Sequence, residues 1–162
     1  MRYAIAKIFG WGLALSLATI LVSPNAALAR ADTQTIHFSG VSQSSPAVNP
    51  CTGDSGTLTE TVKEGVEHST LNPDGTTHEA FVIRVDVVFI PDDPAGPTLI
   101  GTSTDTFEGN VNRQNDTLTV AFAGHASGSD GSTVWFRGLV HLTVNANGTV
   151  TVDFETETAR CA

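Results

Sequence analysis

Two neighbouring stretches of this 162-residue chain place titratable side chains at a spacing that can do chemistry. Thr57 to Ser69 (TLTETVKEGVEHS) and Thr77 to Ile90 both alternate with period two, and Asn72-Pro73-Asp74-Gly75 lies between them. Alternation of this kind marks β-strands, and Asn-Pro-Asp-Gly is a turn signal. A three-residue loop with Gly75 in the left-handed region pairs Glu64 with Arg84, Val62 with Asp86, Val66 with Val82 and Thr70 with His78. His68 then stands opposite Ala80, diagonal to His78. One face of this predicted hairpin carries Glu60, Glu64, His68, His78, Arg84 and Asp86. Shielded from water, a carboxylate–histidine–arginine group has perturbed pKa values and can bind a ligand or move a proton. On a solvated face the same side chains form surface pairs worth about 0–1 kcal/mol. The opposite face of the second strand favours the second outcome: Phe81, Ile83, Val85, Val87 and Phe89 form an apolar stripe that demands burial. His68 and His78 are within reach of one metal ion, but a closed site needs about four ligands, so neither a metal nor a cofactor is expected. The chain has no Gly-x-Ser-x-Gly elbow, His-Glu-x-x-His motif, phosphate loop or dinucleotide fingerprint. A binding protein is therefore expected ahead of an enzyme.

The last thirty residues, Ser132 to Cys161, predict a second hairpin around Asn145-Ala146-Asn147-Gly148-Thr149. Its loop shares the pattern Asn-x-Asp/Asn-Gly-Thr with Asn72 to Thr76. The same loop geometry sets Val144 against Val150, Leu142 against Val152, Val140 against Phe154, His141 against Asp153 and Arg137 against Glu157. The even-numbered residues would face the core. Trp135, Leu139 and Ala159 would form a small apolar patch on the other side, either docking a partner or covered by the N-terminal segment.

Further strand signals run from Leu99 to Val111 and from Thr117 to Ala126, with turns at Pro91 to Pro97, Asn112 to Asp116 and Ser127 to Gly131. Ser127 to Gly131 lacks the repeated carboxylates and terminal Glu of a calcium loop. One short strand is expected in Thr33 to Ser39, ahead of a Ser/Pro-rich connector. No stretch reads as an amphipathic helix. The fold class is all-β: an antiparallel up-and-down meander, closing into a barrel of about eight strands because closure removes exposed edges. A two-layer β-sandwich is the alternative.

Residues 1–29 have the grammar of a secretory signal peptide: Arg2 and Lys7, an apolar run from Ile8 to Val22, then Ala27-Leu28-Ala29. The run is shorter than the roughly 20 residues of a membrane span. The expected organisation is this leader, a partly ordered segment over 30–50, and one β domain over 51–162. Setting aside Arg2 and Lys7, six basic residues face seventeen acidic ones, a formal charge of −11. Nucleic acid and anionic membrane both need a basic patch, so neither is an expected partner. Cys51 and Cys161 bracket the domain, and in an oxidising compartment they are expected to pair.

Asn49-Pro-Cys-Thr-Gly, the histidines flanking the Pro-Asp-Gly turn, Pro91-Asp-Asp-Pro, Gly128-Ser-Asp-Gly-Ser and Val140-His-Leu-Thr-Val-Asn-Ala-Asn-Gly-Thr-Val together resemble a group of small secreted actinobacterial proteins. The resemblance spans Asn49 to Cys161. It implies an exported, single-domain, all-β protein and carries no assigned activity. Three functions follow as expectations. The first is binding of a small or apolar ligand, or of a surface partner. The second is cofactor-free isomerase, cyclase or hydrolase chemistry from Glu64, His68 and Arg84 inside a barrel. The third is a structural or adhesive envelope role for the Trp135 patch. Glu64, His68, His78, Arg84 and Asp86 are the candidate ligand-binding residues.

Overall fold

The structure, a computed structural model, describes residues 30–112 and 114–162. The predicted signal peptide lies outside them. Eight strands follow in chain order: β1 (Asp32–Phe38), β2 (Ser42–Val48), β3 (Ser55–Leu71), β4 (Thr77–Pro91), β5 (Leu99–Val111), β6 (Asn115–Gly128), β7 (Thr133–Asn145) and β8 (Val150–Cys161). The described residues contain no helix. All pairing is antiparallel, in the order β1-β3-β4-β5-β6-β7-β8, with β2 also on β3. The protein is thus an all-β meander of eight strands. Among the described residues no backbone ladder joins β8 to β1 or β2.

The N-terminal segment supplies two strands rather than the expected one. β1 covers the C-terminal half of β3, from Asp32↔Leu71 to Phe38↔Gly65, and the Ser/Pro-rich connector is itself β2, from Ser42↔Thr61 to Val48↔Ser55. Pro46 is tolerated there because β2 pairs on one side only, so its missing N–H breaks no ladder.

Three hairpin loops are built alike. Asn72, Asn145 and Gly128 donate their N–H to the carbonyls of Thr76, Thr149 and Ser132 at 2.8, 3.0 and 2.7 Å. The closing Gly75, Gly148 and Gly131 have φ of 84°, 80° and 88°, where any Cβ would be strained. The preceding Asp74, Asn147 and Asp130 each accept the N–H of Thr76, Thr149 and Ser132 through Oδ1, each at 3.0 Å. The loop geometry predicted for the first two hairpins is therefore present, and Gly128–Ser132 is a third copy of it.

Two β-bulges then change what the loops begin. In the β3–β4 hairpin the register runs as predicted from Leu71↔Thr77 to Glu64↔Arg84. It then shifts at Lys63, so Val62 faces Val85 instead of Asp86, and Glu60 faces Val87. The inserted residue reverses the parity of the rest of β3. In the β7–β8 hairpin Val144 faces Val150 as predicted, but Thr151 is extra. Its Oγ1 donates to the Thr143 carbonyl at 3.3 Å. Leu142 now faces Asp153, Val140 faces Glu155 and Gly138 faces Glu157, while His141 faces Phe154 and Arg137 faces Thr158. The predicted His141–Asp153 and Arg137–Glu157 pairs do not form, and Val152 and Phe154 turn to solvent at 43% and 48% exposure. A one-residue insertion moves every later side chain to the other face.

The face with the buried residues, called the inner face below, carries Leu58 and Val62 of β3, the Ile83–Phe89 stripe of β4, Leu99 of β5, Phe122 and Ala126 of β6, and Val134 of β7. These cluster at the end of the sheet opposite the Asn72–Thr76 and Asn145–Thr149 loops, the end that carries Gly128–Ser132, with Ala47, Phe38, Cys51 and Phe136 packed on them. Phenylalanine rings lie over cross-strand glycines: Phe38 over Gly65, Phe122 over Gly138 and Phe136 over Gly124. A side chain at any of these glycines would occupy the space the ring fills.

Cys51 and Cys161 form a disulfide with a Cα–Cα distance of 5.7 Å. It ties the end of β8 to the turn before β3. Asn49, 2% exposed, holds that turn: its Oδ1 accepts the Cys51 N–H at 2.9 Å, and its backbone bonds Asp54 and Gly53. A buried amide at this place fixes where the thiol points.

Candidate functional site

The predicted polar constellation is assembled, but on the outer face. Glu64, His68, His78 and Arg84 are all exposed and Asp86 is half-buried, on the side of β3–β4 opposite the apolar stripe. Arg84 Nη1 lies 3.9 Å from Glu64 Oε2, with both side chains largely in solvent. Asp86 pairs with Lys63 at 3.5 Å, the bulge residue, and not with a member of the predicted group. His68 Nδ1 bonds the Thr35 hydroxyl at 2.9 Å and His78 Nδ1 bonds Asn110 Oδ1 at 2.8 Å, so each ring serves a different neighbouring strand. An interior acid–base group made of Glu64, His68 and Arg84 does not form. Among the described residues no group of three or more His, Cys, Asp or Glu side chains is arranged to hold a metal.

Glu60, read from the sequence as part of that polar face, belongs to the inner one. The Lys63 bulge puts it opposite Val87. Asp105 of β5 faces Ile83 on one side and Phe122 on the other, so it too sits on the inner face. The two carboxyls flank the β4 stripe diagonally. Burial raises both from their ordinary values. Opposing this, Gln43 Nε2 donates to Glu60 Oε2 at 3.2 Å and the buried Ser103 hydroxyl donates to Asp105 Oδ1 at 2.8 Å. The charge of Asp105 raises Glu60 further. The ion pairs found among the described residues, Lys63–Asp86 and Arg84–Glu64, both involve the outer face of β4.

Val87 and Phe122, the cross-strand neighbours of the two carboxyls, also line a cavity of about 60 Å³. Its other walls include Leu58, Phe89, Leu99 and Phe136, with Ala47 to Pro50 from the β2 end and Glu157 to Ala159 from β8. The first and last parts of the sheet therefore meet around one space. That space exceeds the ~15 Å³ a water needs and falls short of the ~150 Å³ that holds benzene. It can take a small apolar group, not a whole large ligand. Towards the Asn72–Thr76 and Asn145–Thr149 loops the inner face of the central strands continues half-buried, with Phe81 and Phe107 in edge-to-face contact at 5.1 Å.

Carboxylates occur on both faces, Glu64, Asp86 and Glu108 on the outer one, whereas the strand arginines and the histidines share the outer face. Glu60, Glu67, Glu79, Asp105, Asp153, Glu155 and Glu157 hold inner register positions. Arg84, Arg137, Arg160 and all five histidines hold outer ones. Burial, then Glu79, raises Glu67; burial, then Glu155, raises Glu157.

No protein-family model matches the chain, and no curated protein or solved structure matches it either.

Two half-buried carboxyls on an otherwise apolar face, each raised by burial and one raised further by the other's charge, can each face a bound cation. Sequence pattern missed this pair. Asp105 was legible in principle, since Leu99, Gly101, Ser103, Asp105 and Phe107 share one strand parity. Glu60 was not, because its face depends on the bulge.

The raised values have a thermodynamic sign. A buried acid whose folded-state pKa exceeds its unfolded value binds more protons when folded. Stability is then greatest below the ordinary carboxylate range and falls as pH rises through the raised values. The melting temperature is expected to be higher near pH 5 than near pH 8. The pair Glu60→Gln and Asp105→Asn should flatten that slope. An equal slope in the variant would show that these two groups do not carry it.

Proposed function

We propose that the chain is an exported binding protein whose curled meander works as a barrel. Its inner face holds a small, mainly apolar ligand carrying an ammonium or other hydrogen-bond-donating group. The observation that carries this reading is the Glu60–Asp105 pair: two half-buried carboxyls on the inner face, whose cross-strand neighbours Val87 and Phe122 line an apolar cavity, while the ion pairs found among the described residues lie on the other face. Burial without a cation is costly, and a ligand cation offsets it. Barrel-like closure is supported by the disulfide and by residues of β2 and β8 lining one cavity. Export is supported by the disulfide and by the leader grammar of residues 1–29.

A thermal-shift series tests the reading with linear amines, alcohols and carboxylates of matched chain length. Amines should raise the melting temperature, alcohols less, carboxylates not at all. A ligand at 100 times its Kd stabilises by about 2.7 kcal/mol, well within detection. Glu60→Gln with Asp105→Asn should remove the preference for amines. Equal shifts from carboxylates, or none from any compound, would reject the assignment. Native mass spectrometry of protein from its own host should show a bound organic base.

A further inference from the structure

The last strand differs from the others in having three features on one element. Among the described residues β8 pairs with β7 alone, so the other backbone edge of its 12 residues has no ladder partner. On the inner side it presents Asp153, Glu155 and Glu157 at alternate positions, none of them in an ion pair found among the described residues. On the outer side it presents Val152 and Phe154, next to Leu139 of β7, with Trp135 further along β7. Those four apolar side chains are between 37% and 49% exposed. The N-terminal strands do not cover them, since β1 and β2 are spent on β3. The opposite edge of the sheet is guarded differently, by Pro46 in β2.

We propose that β8 receives an extended peptide as an added strand, and that this peptide alternates basic with apolar or β-branched residues. The backbone edge supplies the hydrogen bonds, as in other strand-addition complexes. The pleat sets the alternation: residues of the incoming strand that share the inner side meet Asp153, Glu155 and Glu157, and those between them lie beside Val152 and Phe154. A second copy of β8 is the wrong occupant. Antiparallel self-pairing centred on this run brings carboxylate against carboxylate, and like charges directly opposite destabilise a ladder. Opposite charges at the same positions stabilise it. The partner is thus defined by chemistry as a cationic, strand-forming peptide segment. This inference does not depend on the inner cavity or on Glu60 and Asp105.

The test uses the oxidised protein and a fluorescent, end-capped nonapeptide alternating Lys with Val, read by anisotropy. Controls are the Glu/Val alternation, a peptide of the same composition with its lysines in one block, and an N-methylated Lys/Val peptide that cannot complete a ladder. Binding of the Lys/Val peptide alone, weakened by salt, is expected. The variant Asp153→Asn, Glu155→Gln, Glu157→Gln should bind about threefold to a hundredfold more weakly while remaining folded. Should it fail to fold, the N-methylated peptide decides the question on the unaltered protein. Equal binding of the N-methylated or the blocked peptide would overturn the proposal, because a charged surface and not an edge would then be recognised. Equal binding of the Glu/Val peptide would overturn it as well. So would a concentration-dependent dimer that competes with the peptide, since the edge would then belong to a second copy.

Discussion

Cys161→Ser should lower the melting temperature of the oxidised protein by about 10–20 °C. The bridge closes a sequence separation of 110 residues. In the chain-entropy account a loop of that length restrains the unfolded state by about 4–5 kcal/mol. At this chain size each kcal/mol moves the midpoint by about 2–5 °C. Calorimetry of the wild type with and without reductant checks the mechanism: reduced wild type should melt near the variant. If reduction leaves the midpoint unchanged, the bridge restrains nothing that folding would otherwise have to order. Losing the bridge also frees the β8 end from the turn that Asn49 holds, so the wall from Glu157 to Ala159 should leave the cavity.

The second large effect comes from a glycine. Gly138 faces the buried Phe122 across the β6–β7 pair, and a Cβ there would fall within the ring. Gly138→Val should destabilise by about 1–3 kcal/mol or more, the range for overfilling a packed site. Phe122→Ala alone should cost about 3–5 kcal/mol, because it empties the same space. Combining them should cost less than the sum, with a coupling of about 0.5–3 kcal/mol. Urea denaturation of all four proteins gives the cycle. Strict additivity would mean that the ring does not occupy the space above Gly138.

What the sequence disclosed follows the scale of each signal. Strand positions, hairpin loops and the disulfide were legible because each rests on local chemistry or on compartment: period-two alternation, Asn/Asp-Gly-Thr turns, and a lone cysteine pair. Facing was legible only as far as the first bulge. Leu71 to Glu64 follow the predicted register and everything before Lys63 departs from it. In the last hairpin the departure comes sooner, at Thr151, and turns Val152 and Phe154 outward against their own hydrophobicity. Gly65 suggests a bulge in the first run, but the shift falls two residues earlier, and Lys63 and Thr151 are ordinary strand residues by type. The candidate site suffered accordingly. Glu64, His68, His78 and Arg84 share a face as predicted, but Glu60 leaves it and joins Asp105 on the other. β2 was missed because a Ser/Pro run carries little strand propensity, and its place on the long β3 is tertiary.

The Asn72–Thr76 and Asn145–Thr149 loops lie at one end of the sheet, while the buried cluster, the disulfide and the Gly128–Ser132 loop lie at the other. Resistance to opening must therefore vary along each strand more than from strand to strand. Near the Asn145–Thr149 loop, β8 is exposed from Val150 to Thr156 and can part from β7 without disturbing the cluster. The parting runs toward Cys161 and stops there, held by a covalent bond. One end of the strand can fray while the other stays tied, so opening of this kind remains local and the chain as a whole stays folded.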